Sequence, residues 1–192
     1  MKLKLFSYNR VKSTNSSAIN LIKRKNFKSG LVHAITQTRG RGRYGRNWIS
    51  KKGNLFVSVF FEINNDYPSA NKLTLINVLV VLNVLKKFCK KKEIKFKRPN
   101  DIYLNKKKIC GILQEIISVK DRKYLIVGIG INLINNPKLN KYVSTNIFKE
   151  TNIKLDMIKI LKILSLNYEK FLNHNNKKKY LEVIKKSKLI KI

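Results

Sequence analysis

The chain has 192 residues, 43% of them hydrophobic, which is enough for one domain with a core and excludes wholesale disorder. Its 43 Lys and Arg against 10 Asp and Glu give a formal net charge of +33, which favours an anionic partner, nucleic acid first among them. Most of this charge is lysine spread along the whole chain beside abundant Asn and Ile, so A/T-rich codon usage explains the bulk of it.

The start of the chain and its two cysteines predict a cytoplasmic protein. The first residues contain neither a long apolar run nor a small-residue cleavage site, so no signal peptide is predicted. Cys89 and Cys110 belong to no CxxC or metal-ligand spacing, which favours a reducing compartment and predicts no bound metal. The most apolar stretch, residues 73–85, is too short to span a bilayer, so no membrane association is expected.

Hydrophobic periodicity predicts alternating helices and strands in the first half of the chain. Ser13 is expected to cap a helix with Ala18, Leu21 and Ile22 on its apolar face, and residues 31–35 are typical of a short strand. A Gly/Arg-rich loop runs from Gln37 to about Gly53. The strand predicted over residues 54–63 places alternate side chains on one face: Leu55, Val57, Val59, Phe61 and Ile63. A long helix from about Ser69 to Lys91 follows.

The second half of the chain predicts a β-meander followed by a helix. Three β-rich segments, residues 94–104, 109–119 and 124–133, are separated by polar turns, a spacing typical of antiparallel strands. A helical stripe over residues 156–172 carries Met157, Ile160, Leu161, Leu164 and Tyr168. Together these elements predict an α+β fold, a mixed, largely antiparallel sheet covered by helices. We expect a single domain over residues 1–192, with a basic extension from about residue 174.

The segment GRGRYGRNW, residues 40–48, is the most informative part of the sequence. It fits G-x-G-x-x-G, but a strand follows where the dinucleotide motif requires a helix, and Arg46-Asn47 stand where a P-loop carries Lys-Ser/Thr. Its glycines let the backbone approach a ligand and its arginines are forked donors for carboxylate or phosphate: Gly40, Gly42, Gly45, Arg41, Arg43 and Arg46. Trp48 is available to stack on a planar base. From the loop alone, an anion-binding lid, a solvated basic turn and an RNA-binding patch remain open.

Three further motifs follow the loop. Residues 97–101, KRPND, form a corner, because the proline forces its predecessor into an extended conformation. Lys108, Gly111 and Glu115 lie in a K-x-x-G-I-L-x-E pattern. Residues 128–132, GIGIN, place two glycines inside an apolar strand, which they weaken unless something approaches its face closely. Taken singly, these motifs indicate only a turn, a surface lysine and a β-bulge.

In this order the motifs resemble those of the biotin–protein ligases. That family carries STN near its start, a GRGRxGRxW loop followed by a strand, KWPND, K-x-x-G-I-L-x-E and a GxGIN strand. The corresponding residues here are 13–15, 40–48, 97–101, 108–115 and 128–132. The resemblance implies a catalytic domain related to class II aminoacyl-tRNA synthetases. Such a domain forms biotinyl-5′-AMP from biotin, ATP and Mg²⁺ and transfers biotin to a lysine of a biotin carboxyl carrier protein.

The resemblance also implies a role for each matching residue. The biotin head is expected to contact Ser13, Thr14, Asn15 and Gln37, and the slot is expected to be lined by Gly111, Gly130 and Ile131. The expected catalytic residues are Lys108, which would bridge the biotin carboxyl group and the phosphate, Arg43, and Asp101, which would orient or deprotonate the acceptor lysine. The expected adenylate loop comprises Gly40, Arg41, Gly42, Arg43, Gly45, Arg46 and Trp48. Trp48 and Asn132 are expected on the adenine side.

The chain departs from the family pattern at Arg98, where KWPND has Trp, and at Arg39, a position that is commonly small. No helix-turn-helix precedes Ser13 and little chain follows the last helix, so neither specific DNA binding nor most of an SH3-like C-terminal domain is expected. Lipoate and octanoate ligases or transferases share the fold and are an alternative. A basic nucleic-acid-binding protein and a ligase fold without efficient catalysis are others. Monomer and homodimer both remain open.

Overall fold

The computed structural model describes residues 2–89, 92–137, 142–173 and 181–182. The strands in these ranges are β1 (Leu5–Val11), β2 (Ser29–Gln37), β3 (Leu55–Ile63), β4 (Ile94–Lys97), β5 (Asp101–Leu104), β6 (Lys107–Val119) and β7 (Arg122–Ile131). The helices are α1 (Thr14–Lys25), α2 (Ala70–Lys86), α3 (Ile147–Thr151) and α4 (Met157–Leu172). The expected basic extension, 174–192, lies outside the described residues apart from 181–182.

The strands form one sheet in the order β1-β2-β3-β7-β6-β5-β4. β1 pairs with β2 in parallel, and the other neighbours pair antiparallel. The predicted α+β class and the mixed, largely antiparallel sheet are therefore confirmed. β5, β6 and β7 form the predicted meander, joined by tight turns that match their antiparallel pairing.

Helices cover both faces of the sheet. α1 packs on one face through Ala18, Leu21 and Ile22, the residues that its periodicity predicts, against Val32 and Phe60. α2 and α4 belong to the larger core on the other face, which also contains alternate residues of β3 and β7: Leu55, Val57, Val59, Phe61, Val127, Ile129 and Ile131. Among the described residues, none of the helices is long and apolar enough to cross a membrane. Cys89 and Cys110 are buried and unpaired.

The structure corrects several predicted boundaries. β1 was not predicted, because most of its side chains are exposed and it lacks alternation. The segment 94–104 forms two antiparallel strands, β4 and β5, because the corner at Pro99 interrupts it. α2 ends at Lys86 rather than continuing toward Lys91, since the backbone tightens there: Lys87 N donates to Val84 O and Phe88 N to Leu85 O, each three residues back. Lys91 lies outside the described residues. The short helix α3 was also missed.

Candidate ligand-binding site

The first turn of α1 forms the polar floor of a narrow slot. Thr14 and Asn15 are buried against β3, where Ser58 Oγ lies 2.7 Å from Thr14 Oγ1 and 2.5 Å from Asn15 Oδ1. Gln37, at the end of β2, accepts from Thr14 N at 2.8 Å through its Oε1. Ser13 takes the N-cap position without a capping side-chain hydrogen bond and lines the slot. The four residues predicted to bind the biotin head therefore lie together.

The arginine loop is a short hairpin that lies over this floor. Trp48 N donates to Gly40 O at 2.9 Å, and Gly42 N donates to Arg46 O at 2.6 Å. At its tip, Gly45 adopts a φ of 70°, in the left-handed region that glycine tolerates best. Gln37 Nε2 donates to Ser50 Oγ at 3.0 Å and thereby ties the end of the loop to the floor. The loop thus has defined backbone and side-chain contacts with the floor.

The three loop arginines have different surroundings. Arg41 reaches the floor, where its guanidinium donates to Glu115 Oε1 at 2.9 Å and Oε2 at 2.7 Å. Arg43 stacks on the ring of Tyr44, its Cζ 4.9 Å from the ring centroid. Arg46 is exposed and, with Arg43, lines a separate and larger cavity. The structure therefore assigns one loop arginine to the slot and two to its outer mouth.

Trp48 occupies the glycine-lined part of the slot. A Cβ atom at Gly130 would lie 2.4 Å from the indole, and one at Gly111 would lie 2.6 Å from it, so only glycine lets the ring lie on these strands. The remaining slot volume is about 50 Å³, well below the roughly 300–1,000 Å³ of typical small-molecule pockets. Trp48, expected on the adenine side, lies between the slot and the larger cavity and lines both.

Lys108 lies where the slot meets the larger cavity. Its Nζ is 2.8 Å from Asp101 Oδ2, and the Lys108 side chain is only 11% exposed. The same ammonium lies over two rings, 5.5 Å from the centroid of Trp48 and 4.6 Å from that of Tyr142. Residue type alone leaves the three consecutive lysines equivalent, but the structure separates them. Lys107 pairs with Glu150 at 3.1 Å, and Lys106 lies in the turn with a φ of 62°. Only Lys108 of the three lines the slot.

The larger cavity, about 610 Å³, extends from Lys108 and Asp101 under the outer side of the arginine loop. Asn132 lines it and donates through Nδ2 to Thr145 O at 3.0 Å, but its buried Oδ1 has no partner among the described residues. The buried Nε1 of Trp48 also lacks a partner within that part of the chain. Buried polar atoms are normally hydrogen-bonded, so these two atoms lack the partners that such atoms usually have.

One predicted slot residue is misplaced. Ile131 does not line the slot: its side chain is fully buried in the core on the α2/α4 face. Successive side chains of a strand point to opposite faces, so the face that Gly130 leaves open to the slot cannot also receive Ile131. Asp101, expected to act on the acceptor lysine, is ion-paired with Lys108 in this structure.

Three residues of the site were not assigned a role from the sequence: Ser58, Ser50 and Glu115. Ser58 interrupts the apolar run LFVSVFF, which was a readable signal of a polar contact on a buried face. Glu115 shares a face of β6 with Gly111, four positions earlier, so the strand period places it beside the slot. Ser50 carries no comparable signal, because it lies in an irregular loop.

The part of the chain that contains this site matches a known protein family. Residues 7–132 match the Biotin/lipoate A/B protein ligase family. The bifunctional ligase/repressor BirA of Escherichia coli is 36% identical over 126 residues, 64% of this chain and 38% of that protein. The biotin--[acetyl-CoA-carboxylase] ligase of Paracoccus denitrificans is 33% identical over 130 residues, 67% of this chain and 54% of that protein. The chain thus spans between 38% and 54% of the length of these relatives.

Two solved structures are similar over most of the chain. The biotin protein ligase of Leishmania major in complex with biotinyl-5-AMP superposes with a TM-score of 0.80 at 26% identity, covering 95% of this chain and 80% of that one. The Aquifex aeolicus biotin protein ligase in complex with biotin and ATP gives a TM-score of 0.71 at 32% identity, covering 92% and 76%. Since the family match includes the slot, the loop and Lys108, this protein belongs to the biotin/lipoate A/B protein ligase family.

Proposed function

We propose that the protein activates biotin with ATP to biotinyl-5′-AMP and transfers the biotinyl group to a lysine of a biotin carboxyl carrier protein. The observation that carries the proposal is the position of Lys108 between a slot with a polar floor and a larger cavity that Arg43 and Asn132 line. The relatives named as biotin ligases and the neighbours bound to biotin, biotinyl-5-AMP or ATP support this assignment.

The slot is suited to a bicyclic ureido acid. The floor offers donors and acceptors to a ureido group, and the glycine-lined part can hold an apolar chain once Trp48 moves. At about 50 Å³ the slot does not admit such a ligand in the present arrangement, so binding requires a rearrangement of the loop. Arg41 and Gln37 link the loop to the floor, and we propose that they release and rebind as the ligand enters.

The first step brings two anions together. A carboxylate oxygen of biotin attacks the α-phosphorus of ATP, the bond to the bridging oxygen breaks, and pyrophosphate leaves with that electron pair. Lys108, at the junction of slot and cavity, is placed to neutralise the charge that develops there, and such preorganised stabilisation is usually the largest catalytic effect. Arg43, at the outer mouth, is placed to contact the phosphates.

The second step transfers the acyl group. The ε-amine of the acceptor lysine attacks the carbonyl carbon of the mixed anhydride, AMP leaves, and the amide forms with loss of one proton from nitrogen. A free lysine amine, with a pKa near 10.4, is mostly protonated at neutral pH. We propose that Asp101 first holds Lys108 in place and, once Lys108 turns to the phosphate, orients the acceptor ammonium and takes its proton.

The nucleotide is proposed to occupy the larger cavity. Asn132 lines this cavity and can accept from an adenine amino group through Oδ1, and Trp48 lies at its edge, where its ring can contact the base. Mg²⁺ would enter with ATP and remain bound to its phosphates. Among the described residues there is no group of three or more His, Cys, Asp and Glu that could hold a metal.

One experiment tests the proposal directly. The purified chain is mixed with biotin, ATP and Mg²⁺, pyrophosphate release is followed, and the protein is analysed by native mass spectrometry for bound biotinyl-5′-AMP. We expect release only when biotin and ATP are both present, and labelling of an added biotin carrier domain. Equal efficiency with octanoate or lipoate would move the assignment to the acyl ligases of the same family. Sequence-specific DNA binding at physiological salt would contradict the proposed partners.

A further inference from the structure

Glu115 joins the arginine loop to the floor of the slot. Its carboxylate accepts both hydrogen bonds from Arg41, and Oε2 also accepts from Asn15 Nδ2 at 2.6 Å. The chain has only 10 acidic residues against 43 basic ones, yet this one lies beside the slot. Arg41 alone would satisfy its charge, so the additional contact with Asn15 calls for another explanation.

The contact with Glu115 fixes which end of the Asn15 amide faces the slot. A carboxylate can only accept hydrogen bonds, so the amide group facing it must be the NH₂ group. Leu113 O, 3.4 Å from the same nitrogen, favours the same orientation. Asn15 Oδ1 then lies over Gly128, so close that a Cβ atom there would be 2.4 Å away. Ser58 uses one lone pair of this oxygen, and the second remains for a ligand N–H.

We propose that Glu115 is the positioning residue that sets head-group specificity: by holding the Asn15 amide, it presents a carbonyl oxygen to the slot. The inference rests on the proposed function and names the ligand feature that the site recognises, an N–H donor such as a ureido ring carries. A linear acyl acid or a dithiolane has no such donor. The floor gains nothing from these ligands at this point and leaves Oδ1 without its second partner.

Substitution by glutamine is the sharpest test. Glu115→Gln preserves shape, but its amide can donate as well as accept, so the Asn15 amide is free to turn its NH₂ group toward the slot. We expect biotin to bind about tenfold more weakly, the effect of losing one hydrogen bond of roughly 1.4 kcal/mol. Octanoate, measured in competition, should keep its affinity. The KM for biotin should rise in the same proportion, while the KM for ATP stays unchanged.

Two further variants separate the roles of Glu115. Glu62→Gln is the matched control, since Glu62 is another strand carboxylate paired with an arginine, Arg122, but lies away from the slot. It should behave as the parent. Arg41→Ala opens the loop but leaves the contact between Glu115 and Asn15. It should therefore weaken biotin and octanoate together and leave the ratio of their affinities close to the parental value, because both ligands lose the same loop contact while the Asn15 amide stays held.

The outcomes distinguish the two proposals. A parent protein that binds biotin, with Glu115→Gln indistinguishable from Glu62→Gln, overturns the role of Glu115 and leaves the proposed function standing. A Glu115→Gln variant that loses biotin and octanoate equally shows a merely structural role and also overturns the inference. A parent that binds octanoate but not biotin overturns the proposed function and this inference with it. Thermal melting of each variant without ligand confirms that the compared proteins are folded.

Discussion

The two faces of strands β3 and β7 carry different kinds of residue: one is apolar, and the other is small and polar. The face toward α2 and α4 carries aliphatic and aromatic side chains that are fully buried, among them Val57, Val59 and Phe61. At the same level, the face toward the first turn of α1 carries Ser58 and Gly128, which leave room for Asn15. Because side chains alternate along a strand, the same backbone supports a core on one side and a recognition site on the other.

This difference between the two faces explains how the fold tolerates the destabilising residues of the slot. Glycine inside a strand lowers its stability, and buried hydroxyl and amide groups are costly unless they are hydrogen-bonded. The slot contains both. The apolar face of the same strands supplies the stability that the slot face lacks, so substitutions on the two faces should have separable effects on folding and on binding.

The largest expected effect is on the apolar face. Phe61→Ala removes a ring that is 1% exposed and packs against Tyr67 and Phe171. Truncating a buried phenylalanine lowers the free energy of unfolding by about 3–5 kcal/mol. Urea denaturation should show this loss, while calorimetry on the folded fraction should give parental biotin affinity. A large change in affinity without loss of stability would contradict the separation of the two faces.

Lys108→Ala tests the slot face, and it should lower the rate of adenylate formation. A charge-assisted hydrogen bond contributes roughly 1.5–3 kcal/mol, so single-turnover adenylate formation should slow by at least about tenfold. Lys106→Ala removes an exposed charge two residues away and is the control, expected at the parental rate. Equal rates in the two variants would make Lys108 another surface lysine and would contradict its position in the mechanism.

A β-bulge explains why strand periodicity could not select this lysine. Counting back by twos from Gly111 places Lys107, not Lys108, on the slot face. The register between β5 and β6 shifts, since Cys110 pairs with Ile102 and Lys108 with Tyr103, and Ile109 is the extra residue. Such a bulge reverses the alternation, so the residues before Ile109 face the side opposite to the one expected by counting back from Gly111. The family resemblance selects Lys108 because it aligns the motif directly and does not depend on the strand period.

Elsewhere in the fold, helices and strands were predictable where they are long and have one apolar face. The stripe of α4 is an example: Ile160, Leu161, Leu164 and Tyr168 are all buried as its periodicity predicts. Edge strand β1 and the five-residue helix α3 were not predictable, because exposed or very short elements leave no periodic signal. The residues expected at the site lie near one another apart from Ile131, but the partners of Arg41 and Asp101 depend on side-chain packing that only the structure shows.

Lys107→Ala should lower the free energy of unfolding without changing the rate of adenylation. Lys107 pairs with Glu150, whose side chain is 8% exposed, on the side of β6 away from the slot. Its removal leaves Glu150 with hydrogen bonds from Asn105 and Thr145, so the free energy of unfolding should fall by only about 0.5–1.5 kcal/mol. Adenylation should proceed at the parental rate. A slowed reaction would show that the Glu150 cluster also positions Lys108.

The smallest expected effect concerns the pH dependence of stability at Glu150. Burial acts to raise the pKa of this carboxyl group, but hydrogen bonds from Asn105, Thr145 and Lys107 outweigh it, and the pKa lies below its ordinary value of 4.5. A carboxyl group with a depressed pKa in the folded state stabilises the fold above its unfolded pKa, and this contribution is lost as the pH falls through the folded pKa.

The variant Glu150→Gln has no carboxyl group to titrate at this position. Urea denaturation between about pH 7 and pH 3 should therefore show a steeper loss of stability for the parent than for Glu150→Gln, with the divergence beginning near the ordinary pKa of 4.5. Glu62→Gln removes a more exposed carboxylate and should follow the parent curve. Parallel curves for the parent and Glu150→Gln would mean that the cluster behind Lys107 contributes nothing through the charge of Glu150.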